Sequence, residues 1–260
     1  MRLGVGYNVF DGEEWLEHSI KSIRDYADYI VVVYSIVSNN GQVIKTGLEP
    51  LISSLIERGL INSAIKVDPQ HPVALHVQES TKRNIGLNAC RRKQCTHFLS
   101  MDVDELYRGD QFLNAKNILE REEWDSSVCQ MVTYFKEPTL RLEPKETYYV
   151  PFIFKITADK FFDRSCAFPY LVDPTRKFIT QGCKPFLRDT LEMHHFSHVR
   201  KDMRTKLACS SASESIKIDI DAYVQYFDNW KFGDPVLSAF RPHEKPSTAI
   251  RTANIFGVTL

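Results

Sequence analysis

Residues 98–107 read FLSMDVDELY, an apolar run that ends abruptly in Asp102-x-Asp104-Glu105. Three carboxylates at the mouth of a buried strand repel one another unless a cation or a basic ligand offsets the charge. Oxygen ligands of this kind suit a hard divalent ion such as Mg2+ or Mn2+, which keeps several waters and shares its other positions with substrate phosphates. The stretch points to an enzyme acting on a phosphate-bearing substrate. Alone, D-x-D is equally compatible with a solvated acidic turn, so the surrounding chain has to decide.

Upstream of the turn, strand and helix patterns alternate. Leu3 to Val9 reads as a short strand, followed by a polar turn at Asp11-Gly12. Glu13 to Tyr26 carries Trp15, Leu16, Ile20, Ile23 and Tyr26 near i, i+4 spacing, the pattern of an amphipathic helix. Tyr29 to Tyr34 is a continuous β-branched run, as expected of a parallel strand buried on both faces. A loop is expected at Asn39-Asn40-Gly41, a helix over Leu48 to Arg58, a short strand at Ile65 to Val67, and a helix over Gln78 to Arg92 that leads into a strand at Thr96 to Met101. This order predicts an α/β fold, a Rossmann-like open sheet that places ligands at the carboxyl ends of its strands. Asp102 to Glu105 lie at such an end.

Downstream the rhythm changes. A helix around Gln111 to Arg121 gives way to strand-like pieces at Ser127 to Phe135, Thr147 to Ile156, Arg176 to Ile179 and Glu192 to Val199, then a basic helix at Lys201 to Cys209. The last fifty or so residues are rich in aromatics and loop signals, including Tyr223, Trp230, Phe232 and Gly233-Asp234-Pro235. They read as a layer added to the core. The expected organisation is a catalytic domain over residues 1–207 and a C-terminal helical and loop extension over 208–260, a candidate acceptor-side layer.

Bulk composition excludes some classes. The 33 Lys and Arg balance the 33 Asp and Glu, so no global field recruits nucleic acid or anionic membrane. Locally the balance is uneven: Lys82, Arg83, Arg91, Arg92 and Lys93 fall in one stretch without an acid, and a second basic stretch runs from Arg176 to Lys206. The six cysteines show no metal-finger spacing and read as reduced thiols. With no signal-like start and no apolar stretch long enough to span a bilayer, the expected location is cytoplasmic.

Three separated stretches could together hold a nucleoside diphosphate. The first is Glu79 to Leu87, which sets Arg83 and Asn84 on one helix turn, with Gly86 allowing close backbone approach. The second is the acidic cluster. The third is Met193 to Lys201, where three histidines and two cations fall within nine residues. On a regular strand, alternation puts His194, Phe196 and His198 on one face and His195 and Ser197 on the other. Together they supply carboxylates, an imidazole to complete a metal site, and cations for phosphate oxygens.

The order of a strand, R-N-x-G-L, an apolar strand into D-x-D-E, and a late H-F-S-x-V-R resembles the GT-A glycosyltransferases, in particular the family 2-like group, over roughly residues 2–207. The resemblance implies a GT-A (Rossmann-like) mixed central sheet flanked by helices. It also implies transfer of a hexosyl or pentosyl group from a nucleotide-diphosphate sugar to an acceptor hydroxyl, with Mn2+ or Mg2+ bridging the diphosphate and inversion at the anomeric carbon. By the same resemblance Asp104 is the principal metal ligand and Asp102 meets the ribose or the metal through water. The late metal-binding histidine corresponds best to His195, with His198 and His194 in reserve. Arg83 and Asn84 would line the donor site, Arg200 and Lys201 would reach the pyrophosphate, and Asn8 and Glu14 would touch the nucleotide or shape its pocket.

The chain departs from the family at two points. An acid that usually follows the second strand is missing, since the run continues Tyr34-Ser-Ile-Val-Ser-Asn-Asn. No clean motif marks the catalytic base either; of Asp173, Asp189 and Glu192, the last two rank first by proximity to His195. A nucleotidyltransferase would show a Gly-rich basic loop after its first strand, whereas Asn8 to Glu14 is acidic and poor in glycine. A non-catalytic sugar-nucleotide-binding module would show an eroded D-x-D, and this one is intact. The acceptor stays open among glycan, lipid-linked sugar, protein and modified DNA, the last with little support from a neutral chain.

Overall fold

The computed structural model describes residues 1–38, 41, 47–68, 73–210, 218–239 and 243–259. The loop expected at Asn39-Asn40 lies outside the described residues. Two sheets share the elements. The first is built by β1 (Leu3–Val9), β2 (Tyr29–Tyr34), β3 (Ser63–Lys66) and β4 (His97–Asp102), with α1 (Glu13–Ile23), α2 (Leu48–Glu57) and α3 (Leu75–Arg92) as the crossovers between them. The second begins with β5 (Glu105–Tyr107), which follows β4 directly and leads into α4 (Gly109–Glu122). It continues through β6 (Ser126–Phe135), β7 (Glu137–Glu143) and β8 (Tyr149–Pro151), after which β9 (Phe154–Lys155) returns to the first sheet. Then come β10 (Cys183–Pro185), β11 (Glu192–His198), α5 (Met203–Ala208), α6 (Ile220–Asn229) and β12 (Thr248–Arg251).

The first sheet has the order β3-β2-β1-β4-β9, parallel except for β9. The Val31 to Val33 run is buried because α3 covers one face of this sheet and α1 with α2 the other. Helix α3 approaches β1 with almost nothing between: a Cβ built on Gly86 would lie 3.5 Å from the Gly6 Cα. That contact brings the α3 side chains His76, Glu79 and Lys82 to the carboxyl end of the sheet, where they line the cleft described below.

The second sheet has the order β12-β7-β6-β11-β5, with β8 and β10 also pairing with β6. The four residues Asp102 to Glu105 join the sheets, leaving one at the end of β4 and entering the other at β5. In the C-terminal segment α6 packs beside α5, and β12 pairs antiparallel with β7, so Tyr223, Phe227 and Trp230 share a core with Phe135 and Leu140.

Two expected strands form differently. Thr147 to Ile156 divides into β8 and β9, which pair with different sheets, because the chain crosses from one layer to the other at Phe152-Ile153. Arg176 to Ile179 is not a strand: Pro174–Arg176 is a 3-10 turn capped by Asp173, whose carboxylate accepts the Thr175 N–H at 2.8 Å, and Phe178 makes an isolated bridge to Phe162. Pro174, lacking an N–H and fixed in φ, suits the first position of such a turn.

Candidate active site

A cleft of about 690 Å³ opens at the carboxyl ends of β1 and β4, where an open α/β sheet places its ligands. Asn8 and Asp102 face each other in register across β1 and β4, and both line it. Its other walls come from α3, from β6 and β11, from the segments around Glu146 to Val150 and Asp173 to Arg176, and from Arg200 and Lys206.

Asp104 lies at the floor, 2 % exposed, and its two oxygens differ. Oδ2 accepts from Arg200 Nη2 at 2.6 Å and from Lys206 Nζ at 3.2 Å. Oδ1 faces His195 Nε2 at 3.7 Å. Burial opposes the charge on Asp104, but Lys206, Arg200 and His195 outweigh it and hold the carboxyl well below the usual carboxylate range. Burial also lowers His195, with Asp104 pulling against it, so a neutral imidazole faces a carboxylate oxygen.

Arg200 is positioned by local chain geometry. Trp15 donates its indole N–H to Val199 O at 2.6 Å, fixing the end of β11 against α1. Gly12, with φ of 87°, leaves room beside it, because a Cβ there would lie 2.0 Å from Arg200 Nη1. Among the described residues that buried Nη1 has no hydrogen-bond partner, and Asp11 and Glu14 stand 3.9 and 3.7 Å away. A buried guanidinium with idle donors at the edge of a cleft is suited to an incoming oxyanion.

Asp102 and Glu105 belong to a different network. Arg176 reaches across from its 3-10 turn, donating from Nη2 to Asp102 Oδ2 at 2.6 Å and from Nη1 to Glu105 Oε2 at 3.2 Å, with a further Nη2 bond to Glu105 Oε1. Arg83 approaches Asp102 from beneath at 3.1 Å and bonds Ser100 Oγ at 2.9 Å and Glu79 at 2.8 Å. Burial opposes the Asp102 charge, yet Arg176 and then Arg83 hold its carboxyl down at about 2. Burial pushes Glu105 up to about 7, with Arg176 pulling against it and the Asp102 charge adding to it.

Placed on this frame, the sequence-derived residues divide. Asn8, Asp102, Asp104, His195 and Arg200 meet in the cleft. Glu14 stands behind Arg200. Arg83 has a fully buried side chain under Asp102 and does not line the cleft. Asn84 is a latch: its amide donates to Phe162 O at 3.0 Å and its carbonyl accepts the Phe162 N–H at 2.7 Å, tying α3 to the 160s segment. Lys201 is exposed outside the cleft.

The two carboxylates ranked first as base are corrected. Asp189 is exposed and away from the cleft, and Glu192 is tied up by Lys145 at 2.9 Å and Arg188 at 2.6 Å. Nearness to His195 in sequence misleads because residues alternate along β11: Met193 and His195 line the cleft, while Glu192 faces the other way. Asp173, at the start of the turn that delivers Arg176, and Glu146 are two further acids that line the cleft.

Strict alternation along β11 is also corrected. The pairing of β11 with β6 slips between His195 and His198, so His198 joins His195 and Ser197 at the cleft. His194 faces the opposite way, bonded to the Tyr134 hydroxyl at 2.9 Å and packed against Phe256. Arg176 and Lys206 were not assigned roles from sequence. Both belong to the basic stretch between residues 176 and 206, which was the available signal, but nothing local marks which of its cations turn inward.

Among the described residues no group of three or more His, Cys, Asp or Glu converges as a metal-ligand cluster. Asp104 and His195 nevertheless fit two positions of a hard divalent ion. Two ligands at about 2.1 Å from a shared ion can be up to about 4.2 Å apart, and these stand at 3.7 Å. Asp102 does not fit as a direct ligand while Arg83 and Arg176 hold it.

Sheet order, the paired layers and a cleft over the carboxyl ends of β1 and β4 define a GT-A, Rossmann-like α/β fold. In particular, the chain is similar to the structure of S. aureus TarS residues 1–349, with a TM-score of 0.50 and 12 % identity over 87 % of this chain and 69 % of that one. The same fragment in complex with UDP-GlcNAc aligns with a TM-score of 0.49 at 12 % identity, covering 87 % of this chain and 70 % of that one. GalNAc-T7 with UDP, GalNAc and Mn2+ aligns more weakly, with a TM-score of 0.40 and 11 % identity over 66 % and 30 % of the two chains. No protein-family profile matches the sequence, and no curated protein matches it. Among the described residues no helix is long and apolar enough to cross a membrane.

Proposed function

We propose that the protein is a glycosyltransferase that moves a sugar from a nucleoside-diphosphate sugar to an acceptor hydroxyl. The observation that carries this reading is the Asp104–His195 pair at 3.7 Å, flanked by Arg200 and Lys206 over the ends of β4 and β11. A carboxylate and a neutral imidazole offer two ligands for Mn2+ or Mg2+, and the adjoining cations offer donors for phosphate oxygens. Such an ion, when bound, supplies Lewis-acid stabilisation of a departing diphosphate. The likeness of fold to TarS supports the same donor class.

The chain's own residues then divide the work. Arg200, through its idle Nη1, and Lys206 hold the diphosphate and stabilise charge that grows on it as the glycosidic bond breaks. Asn8 lines the nucleotide side of the cleft. Asp173, which also lines the cleft, uses Oδ1 to cap its turn, accepting from Thr175 N and Oγ1 at 2.8 and 2.9 Å. Its second oxygen is left to take the proton from the acceptor hydroxyl, as general base. Attack on the face of the anomeric carbon away from the diphosphate would give inversion.

The test is a panel of nucleoside-diphosphate sugars with Mn2+, Mg2+ or chelator, followed by donor hydrolysis and thermal shift. One or more donors should raise the melting temperature and be hydrolysed slowly, more so with metal. A panel with no shift and no turnover overturns the reading. Calorimetry of Mn2+ in the presence of the active diphosphate should show weaker binding to His195→Asn than to wild type; unchanged binding moves the ligand role to His198.

A further inference from the structure

We infer that Lys82 reads the base of the donor nucleotide and selects a keto edge over an amino edge; the inference rests on the glycosyl-transfer reading above. Lys82 is 2 % exposed yet lines the cleft. Its ammonium donates to Ser35 Oγ at 3.2 Å, and among the described residues no carboxylate lies within ion-pair distance of it. Burial pulls its pKa down to about 8, with Glu79 one turn back opposing the fall, so it keeps its proton near neutrality. A buried ammonium satisfied by a single hydroxyl has donors left for a ligand.

Its place in the sheet says which part of a ligand it meets. Ser35 follows the last residue of β2, and the order β2-β1-β4 puts that strand two spacings from Asp102. At roughly 4.8 Å per spacing the separation is about 10 Å. With the diphosphate held at Asp104, His195 and Arg200, Lys82 stands where the base of the nucleoside would lie. Phe10 lines the same cleft beside it, since Ser35 N bonds Val9 O at 3.1 Å, and offers a ring face to a base. The diphosphate has its own cations, so the Lys82 donors go to the base. An ammonium has donors and no acceptor. It matches the O4 of uracil or thymine or the O6 of guanine, and meets donor against donor at the amino groups of cytosine and adenine.

The experiment is calorimetric titration of UDP, GDP, CDP and ADP, each with Mn2+, into the wild-type protein and Lys82→Met. In the wild type UDP or GDP should bind about tenfold or more tightly than CDP and ADP. In Lys82→Met that advantage should vanish, with CDP and ADP binding as before. Equal binding of all four by the wild type, or a preference that survives in the variant, overturns the assignment and leaves glycosyl transfer standing. Binding of none of the four removes both readings together.

Discussion

The acidic turn has two halves that share a backbone and differ in everything else. Asp102 and Glu105 are clamped by Arg176 and backed by Arg83, whereas Asp104 keeps one oxygen on Arg200 and Lys206 and turns the other toward His195. Two residues apart in sequence, the aspartates meet cations from opposite directions. The first set arrives from α3 and the 3-10 turn, the second from β11 and α5. A carboxylate's chemistry is set by what distant segments deliver to it: one half of the turn is clamped by two arginines, the other turns an oxygen toward an imidazole.

The comparison breaks most severely at the open half. Asp104→Asn keeps the shape and removes the charge; it is expected to lower transfer by about 10³-fold or more and, by taking the counter-charge from buried Arg200 and from Lys206, to lower the melting temperature as well. Near-normal turnover on the active donor would show that the open half is not the reactive one. Asp173→Asn should lower transfer by roughly 10²–10⁴-fold and leave the affinity for the donor intact; if donor binding falls instead, Asp173 belongs to the donor side.

The clamped half should fail in stability. Arg176→Met takes from buried Glu105 the cation that bonds it and leaves half-buried Asp102 with Arg83 alone, and is expected to cost about 3–5 kcal/mol in urea unfolding. The double variant Arg176→Met/Glu105→Gln should recover part of that loss, and strict additivity would mean that the two side chains do not interact.

The smallest effect is on pH dependence. Glu105 holds its proton up to about 7 when folded, against an ordinary value of 4.5. The folded state therefore binds more protons across that window, and this group's contribution to stability falls as pH rises through it. Asp102, held at about 2 against 3.8, acts in the opposite sense: its stabilisation is present at neutral pH and is lost as pH falls through its folded value. Glu105→Gln should flatten the decline in urea midpoint between pH 5 and pH 8. Parallel curves for variant and wild type would show that Glu105 is ionised throughout.

Much of the first sheet was legible because its elements announce themselves locally. The Tyr29 to Tyr34 run, the spacing of Trp15, Leu16 and Ile20, and the abrupt stop after Met101 each encode burial in a few residues. The second sheet was harder. Its short strands pair across long separations, so Thr147 to Ile156 looks continuous although its halves belong to different layers. The site follows the same division. Asp104 and His195 sit beside recognisable patterns, and the slip in β11 that brings in His198 depends on pairing with β6, which no window of sequence contains. Arg176, Lys206 and Lys82 are ordinary surface-type residues until the fold buries them, and Asn84 looks like a ligand residue until its partners at Phe162 are seen.

One consequence concerns attempts to redirect the protein toward a new acceptor. The turn from Asp173 to Arg176 is short, lines the cleft and looks exchangeable. Its first residue lines the cleft as the proposed base, and its last bolts the acidic turn together. Grafting a foreign loop there would alter specificity and remove the bolt in the same stroke. Any library built on this wall should hold Arg176 fixed, and variants that lose it will be screened out for poor folding before their selectivity is ever read.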